Sequence, residues 1–113
     1  MTTAQDLVDA VRPCLPLPGT RKFEFANDRA IRVTGDGLSF TCTTDLAGRI
    51  VIGEIWQACA ERGWNVRLVN VAGMMQAVRV QNDDGFYDWP GTDAIALCRA
   101  YAAACEAGKG GKS

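Results

Sequence analysis

The sequence predicts an α+β domain in which one antiparallel sheet of about five strands carries helices on its faces, an α/β/α sandwich. Two matched helix starts, Thr44-Asp45 and Thr92-Asp93, bracket a pair of strand-like runs. From residue 21 to residue 43, apolar and polar side chains alternate with the period of a half-buried strand. The closing stretch, DAIALCRAY from Asp93, places its apolar residues at helical spacing. At 113 residues the chain is long enough for one core and too short for two. The expected domain is 1–107, followed by a Gly- and Lys-rich tail, 108–113, expected to be disordered.

Taken in order, residues 3–12 form a first helix with Leu7, Val8 and Val11 on one stripe, and Pro13, Pro16, Pro18 and Gly19 stop it. In residues 21–26, Phe23 and Phe25 share a face opposite Lys22 and Glu24. Asn27-Asp28 signals a turn, and Ile31 and Val33 resume the alternation. Gly35-Asp36-Gly37 supplies a tight hairpin, and Leu38, Phe40 and Cys42 complete an antiparallel meander.

Thr44 is the expected N-cap of the second helix, with Asp45 at the positive end of its dipole. Leu46, Ile50, Ile52, Ile55, Trp56 and Cys59 supply the expected apolar face, and Gly63 a left-handed stop. Gly48 and Gly53 each cost that helix about 1 kcal/mol relative to Ala, which points to close packing of the helix against a sheet or to a kink at Gly53. Val66 and Leu68 point one way and Val69 and Val71 the other, as in a sheet covered on both sides. After Met74-Met75, Val78 and Val80 alternate with Arg79 and Gln81. Residues 82–91 read as a loop with an aromatic centre and room for a short edge strand. The last helix runs from Asp93 to about Glu106, packing Ile95, Leu97, Cys98, Tyr101, Ala102 and Cys105. This helix and the Asp45 helix are expected on one face of the sheet, with the N-terminal helix on the other.

Composition narrows the chemistry. Net charge is −1, which argues against a broad electrostatic grip on nucleic acid. Arg21, Lys22, Arg29 and Arg32 cluster in the meander, but Glu24, Asp28 and Asp36 interleave with them. Cys14, Cys42, Cys59, Cys98 and Cys105 lie too far apart for a Cys-x-x-Cys site, and the chain has no histidine. Such cysteines act as small buried hydrophobes in a reducing compartment. No metal and no cofactor is expected. Without histidine, and with only Ser39 and Ser113 as serines, no nucleophile-and-base arrangement stands out, so the expectation is a non-enzyme. No stretch resembles a signal peptide or spans a bilayer, so the chain is expected in the cytoplasm.

The candidate contact residues are Asp83, Asp84, Tyr87, Asp88 and Trp89. Residues 83–93 hold four aspartates and no basic residue, a pattern suited to a basic groove on a partner. Tyr87 and Trp89 add the aromatic area typical of binding hot spots. Solvated turn chemistry and a lid over the core are the plainer roles for these same residues.

The Thr43-Thr44-Asp45 start, the Gly63-Trp64 junction and Ala96-Leu97-Cys98-Arg99-Ala100 together resemble the phage ABA sandwich domain family. The resemblance covers about residues 40–106, with a lengthened Asp45 helix, and leaves 1–39 without a counterpart. It implies phage or prophage origin and carries no biochemical activity with it. By that analogy the expected role is an accessory protein that binds a host protein or ribonucleoprotein complex, in its sharpest form an anti-CRISPR-like inhibitor of host defence. Two other classes stay open. One is a module that sequesters a nucleotide-like small molecule in a pocket near Pro13–Gly19, lined by Phe23, Phe25 and Trp56. The other is a phage structural or assembly protein, which would self-associate; a homodimer is also compatible with the first reading.

Overall fold

The computed structural model describes residues 3–71, 73 and 75–110. Helix α1, Ala4–Val11, begins with a reciprocal cap: Thr3 Oγ1 accepts from Asp6 N at 3.1 Å, and Asp6 Oδ2 accepts from Thr3 N at 3.4 Å. Its stripe of Leu7, Val8 and Val11 is buried as the spacing predicts. A 3-10 turn, Arg12–Cys14, then admits Pro13 at its start.

The meander forms as expected. Strands β1 (Lys22–Asn27), β2 (Ala30–Thr34) and β3 (Ser39–Thr43) pair antiparallel in the order β1-β2-β3. Cross-strand register puts Phe23 against Val33 and Val33 against Phe40 on the inner face, with Phe25, Ile31 and Cys42 in the next row. Lys22, Glu24, Arg32 and Thr41 take the outer face and are exposed. Leu38 lies in the turn, not in the strand, and is exposed.

Helix α2, Thr44–Arg62, is capped one residue earlier than the sequence suggests: Thr43 Oγ1 accepts from Leu46 N at 3.2 Å. Gly63, at φ 74°, closes it. Trp64 N donates to Cys59 O at 2.8 Å and Gly63 N to Ala60 O at 3.2 Å, a Schellman pair. The buried face of α2 differs from the expected one. Ala47, Gly48, Val51, Ile55, Ala58 and Cys59 face the core, while Leu46 and Trp56 are half exposed. Small side chains win the inner face because they let helices approach closely. A Cβ at Gly48 would sit 3.5 Å from the Ala94 Cβ, so Gly48 packs closely against the last helix and not, as expected, against a sheet. Nothing lies within 4 Å of one at Gly53.

Past α2 the chain departs from the expected topology. Strands β4 (Asn65–Val71), β5 (Met75–Gln81) and β6 (Phe86–Pro90) form a second antiparallel sheet, order β4-β5-β6. Among the described residues there are thus six strands in two sheets, not about five in one. The 19 residues of α2 carry the chain away from β3, so β4 never pairs with it. Strand β6 is the short edge strand for which residues 82–91 left room.

Helix α3, Ala94–Gly110, extends past the expected end near Glu106; residues 111–113 of the expected tail lie outside the described residues. Asp93 caps it, accepting from Ala96 N at 2.9 Å. Helices α1 and α2 pack on the first sheet, α3 packs on β5 and β6, and all three touch one another. The layering is therefore sheet, helices, sheet, with the helices inside instead of on the outer faces. Leu7, Val51, Ile55, Val80, Leu97, Cys98 and Tyr101 form its centre. No helix among the described residues is long and apolar enough to cross a membrane.

Candidate interaction surface

The acidic-aromatic segment is organised by a residue that the sequence reading passed over. Asn82 is 8% exposed, and both ends of its amide are hydrogen-bonded. Its Oδ1 accepts from Asp84 N at 2.8 Å and Gly85 N at 3.0 Å, folding the turn. Its Nδ2 donates to Ala104 O of α3 at 3.0 Å, and its backbone N donates to Gly85 O. Donors and acceptors leave a single orientation for this amide. Asp83 and Asp84 project from the turn it builds and are exposed.

The five expected contact residues do not share one face. Register pairs Val80 with Tyr87, Val78 with Trp89 and Arg79 with Asp88. Alternation therefore sends Tyr87 and Trp89 to the α3 side with the buried Val78 and Val80. Tyr87 is half-buried against the core, and Trp89, on an edge strand, remains 43% exposed. Asp88 faces the other way with Phe86 and Pro90.

Asp88 is not a free acid. Arg79 Nε donates to its Oδ1 at 2.7 Å and Arg79 Nη2 to its Oδ2 at 2.9 Å, a bidentate fork. That hydrogen bonding holds the Asp88 carboxyl below the usual carboxylate range. Burial opposes the shift, and the charges of Arg79 and Arg67 reinforce it. The guanidinium lies 4.1 Å from the centre of the Phe86 ring. Arg67 sits directly across from Arg79 on β4, which leaves one positive charge beside the neutralised pair.

Around this fork the face opposite α3 is open. Val71, Met75 and Phe86 are exposed there, at 37%, 52% and 57%. With Pro90 and the stem of Arg67 they form an apolar rim around a charged centre. The covering expected over both sides of β4 is missing because α3 lies over β5 and β6. Arg79 and Phe86 were missed as candidates, though strand pairing across an Asn-Asp turn could have placed Arg79 opposite Asp88.

Other candidate features are separate from this face. Arg21 pairs with Asp36, and Arg32 stands opposite Glu24, so the basic cluster is interleaved in space as in sequence. A cleft of about 480 Å³ opens between α1 and β1, lined by Phe23, Phe25, Arg12 and Lys22 among others. Trp56 does not line it. A second cleft, about 440 Å³, lies where the two matched helix starts converge, with Asp45, Arg49 and Asp93 at its wall. Cys14, Cys59 and Cys98 are buried; Cys14 Sγ donates to Cys98 O at 3.3 Å. Burial pushes the Cys59 thiol up to about 12, and a side-chain hydrogen bond with Cys14, together with burial, raises the Cys98 thiol as well. Among the described residues no three of His, Cys, Asp and Glu gather as a metal site. Comparison with protein-family models, with curated proteins and with solved structures finds no match to this chain.

Proposed function

We propose that this chain is a small accessory protein that acts by binding a host macromolecule, a protein or a ribonucleoprotein, through the open face of the second sheet. The observation that carries this reading is the exposed apolar rim of Val71, Met75 and Phe86 around the Arg79–Asp88 fork. Exposed aromatic and Met side chains beside an ordered arginine are the composition of binding hot spots. Phage or prophage origin, and inhibition of host defence as the sharpest form of the role, rest on the family resemblance alone. Asp83 and Asp84 stand at one end of the face and favour a partner with a basic rim there.

The test is affinity capture from bacterial lysate with the tagged chain and with a Met75→Asp, Phe86→Asp double variant. Both positions are more than half exposed, so the fold tolerates the change. A stoichiometric host complex that the double variant fails to retain supports the face. Equal retention by both proteins removes it.

A second reading is favoured by the α1–β1 cleft, whose volume falls in the range of small-ligand sites. Phe25 offers an exposed ring, and Arg12 and Lys22 offer positive charge, which suits an anionic ligand with a planar ring such as a nucleotide. A thermal-shift series across nucleotides, repeated on Lys22→Glu, separates this reading from the first.

A further inference from the structure

Strand β4 is an edge, and at seven residues it is the longest of the four edges, β1, β3, β4 and β6, among the described residues. It pairs with β5 over seven consecutive positions without a register break. Its other side has no strand neighbour, and no backbone group of residues 65–71 bonds outside that ladder among the described residues. Native edges are blunted by proline, lysine, bulges or short length. Strand β6 is five residues long and ends in Pro90, and β1 carries a register irregularity between Phe25 and Asn27. Strand β4 reads NVRLVNV, with no proline or lysine and a single charge. Leu68, at its midpoint, is 61% exposed.

We infer that β4 pairs with β4 of a second copy of this chain, antiparallel across a two-fold axis at Leu68, to join two three-stranded sheets into one of six. The pleat decides which registers are open, because residues directly opposite in an antiparallel pair must share a face. An axis at Leu68 pairs all seven residues: Asn65 with Val71, Val66 with Asn70, Arg67 with Val69, and Leu68 with its own copy. An axis at Arg67 would set two guanidinium groups directly opposite, which is unfavourable. An axis at Val66 or Val69 leaves part of the strand unpaired. The Leu68 register also lays the aliphatic stem of Arg67 over Val69 and covers Leu68, the one leucine of β4, with its own copy. This pairing rests on β4 alone and stands or falls independently of host binding. If both hold, the two open faces lie side by side on one continuous sheet.

The experiment is analytical ultracentrifugation of the purified chain, with no host component present. The expected mass is twice the 12.2 kDa of the chain. Leu68→Lys puts like charges on the axis at an exposed position, and is expected to raise the dimer dissociation constant at least about tenfold with an unchanged far-ultraviolet spectrum. Val69→Glu places a carboxylate opposite Arg67 of the second copy, twice per dimer, and is expected to tighten the dimer about threefold or more at low salt. A wild-type monomer at every accessible concentration overturns the inference, as does a dimer indifferent to Leu68→Lys. A dimer that Leu68→Lys weakens and Val69→Glu does not tighten overturns the register.

Discussion

Asn82→Ala is the substitution that most directly tests how the β5–β6 hairpin is held. The side chain makes three hydrogen bonds: two from turn amides and one to a carbonyl of α3. The turn amides can recover water, so each is worth about 0.5 kcal/mol; the bond to Ala104 O is buried and worth about 1–1.5 kcal/mol. The expected loss is about 2–2.5 kcal/mol. Urea denaturation followed by circular dichroism measures it, with an unchanged slope marking an unchanged denatured state. Asn82→Asp divides the two roles. A carboxylate still accepts from Asp84 N and Gly85 N, but it faces the Ala104 carbonyl with a negative charge instead of an N–H. At pH 7 this variant is expected to be at least as unstable as Asn82→Ala. Protonation restores a donor, so the folded state raises the pKa of the introduced carboxyl above its unfolded value. That contribution is fully present below the unfolded value, about 3.9, and is lost as pH rises through the folded one. The deficit relative to wild type should therefore shrink as the solution is acidified. A loss below about 0.5 kcal/mol for Asn82→Ala, or a wild-type-like Asn82→Asp at pH 7, would refute the assignment of Asn82 as the tie between hairpin and helix.

Gly53→Ala should stabilise the protein by about 0.5–1 kcal/mol, since the helix gains propensity and the new methyl meets nothing within 4 Å; a scanned melt should rise by about 3–6 °C. In native protein at pH 8, iodoacetamide should leave Cys14, Cys59 and Cys98 unmodified, because burial removes access and holds Cys59 and Cys98 as thiols; mass spectrometry in urea should then show all five cysteines labelled. The Asp88 carboxyl is lowered by Arg79, so its contribution is present above the unfolded carboxylate value and disappears as pH falls through the folded one. Wild type should accordingly exceed Asp88→Asn in stability at pH 7 and lose that advantage below about pH 4, which a pH series of urea midpoints would record.

The first half of the chain was largely legible because its signals are local. The alternation of Phe23, Ile31 and Val33 and the Gly63 stop each depend on neighbours within a few residues, and each appears where expected. The division into two sheets was not legible. Alternation in β4 and β5 is the same whether or not β3 is a neighbour, and only the packing of α2 and α3 decides that. The buried face of α2 was misjudged for a related reason. Ranking by hydrophobicity selects Leu46 and Trp56, but the core takes Ala47, Gly48 and Ala58, and at Gly48, where a Cβ would sit 3.5 Å from the Ala94 Cβ of α3, smallness is the useful property. Strand β6 was legible only as room for a short edge strand, because a polar residue sits at its centre: Asp88 is tolerated there because Arg79 answers it from the adjacent strand, nine positions earlier in the chain.

That last pairing explains why the acidic-aromatic segment cannot work as one contact patch. In a loop, Tyr87, Asp88 and Trp89 could converge on a partner; in a strand, their side chains alternate. Tyr87 is drawn toward the core by Val80 and α3, so its removal would act first on stability. Phe86 and Asp88 lie on the opposite side, where the Arg79 fork fixes one and stacks on the other. Ordering Arg79 in advance lowers the side-chain entropy lost when a partner docks on it, which is the advantage of a preorganised charge over a mobile one. The chain thus separates its two tasks by parity along one short strand. Odd positions 87 and 89 face the helix, even positions 86, 88 and 90 face outward, and Asn82 fixes where that alternation begins.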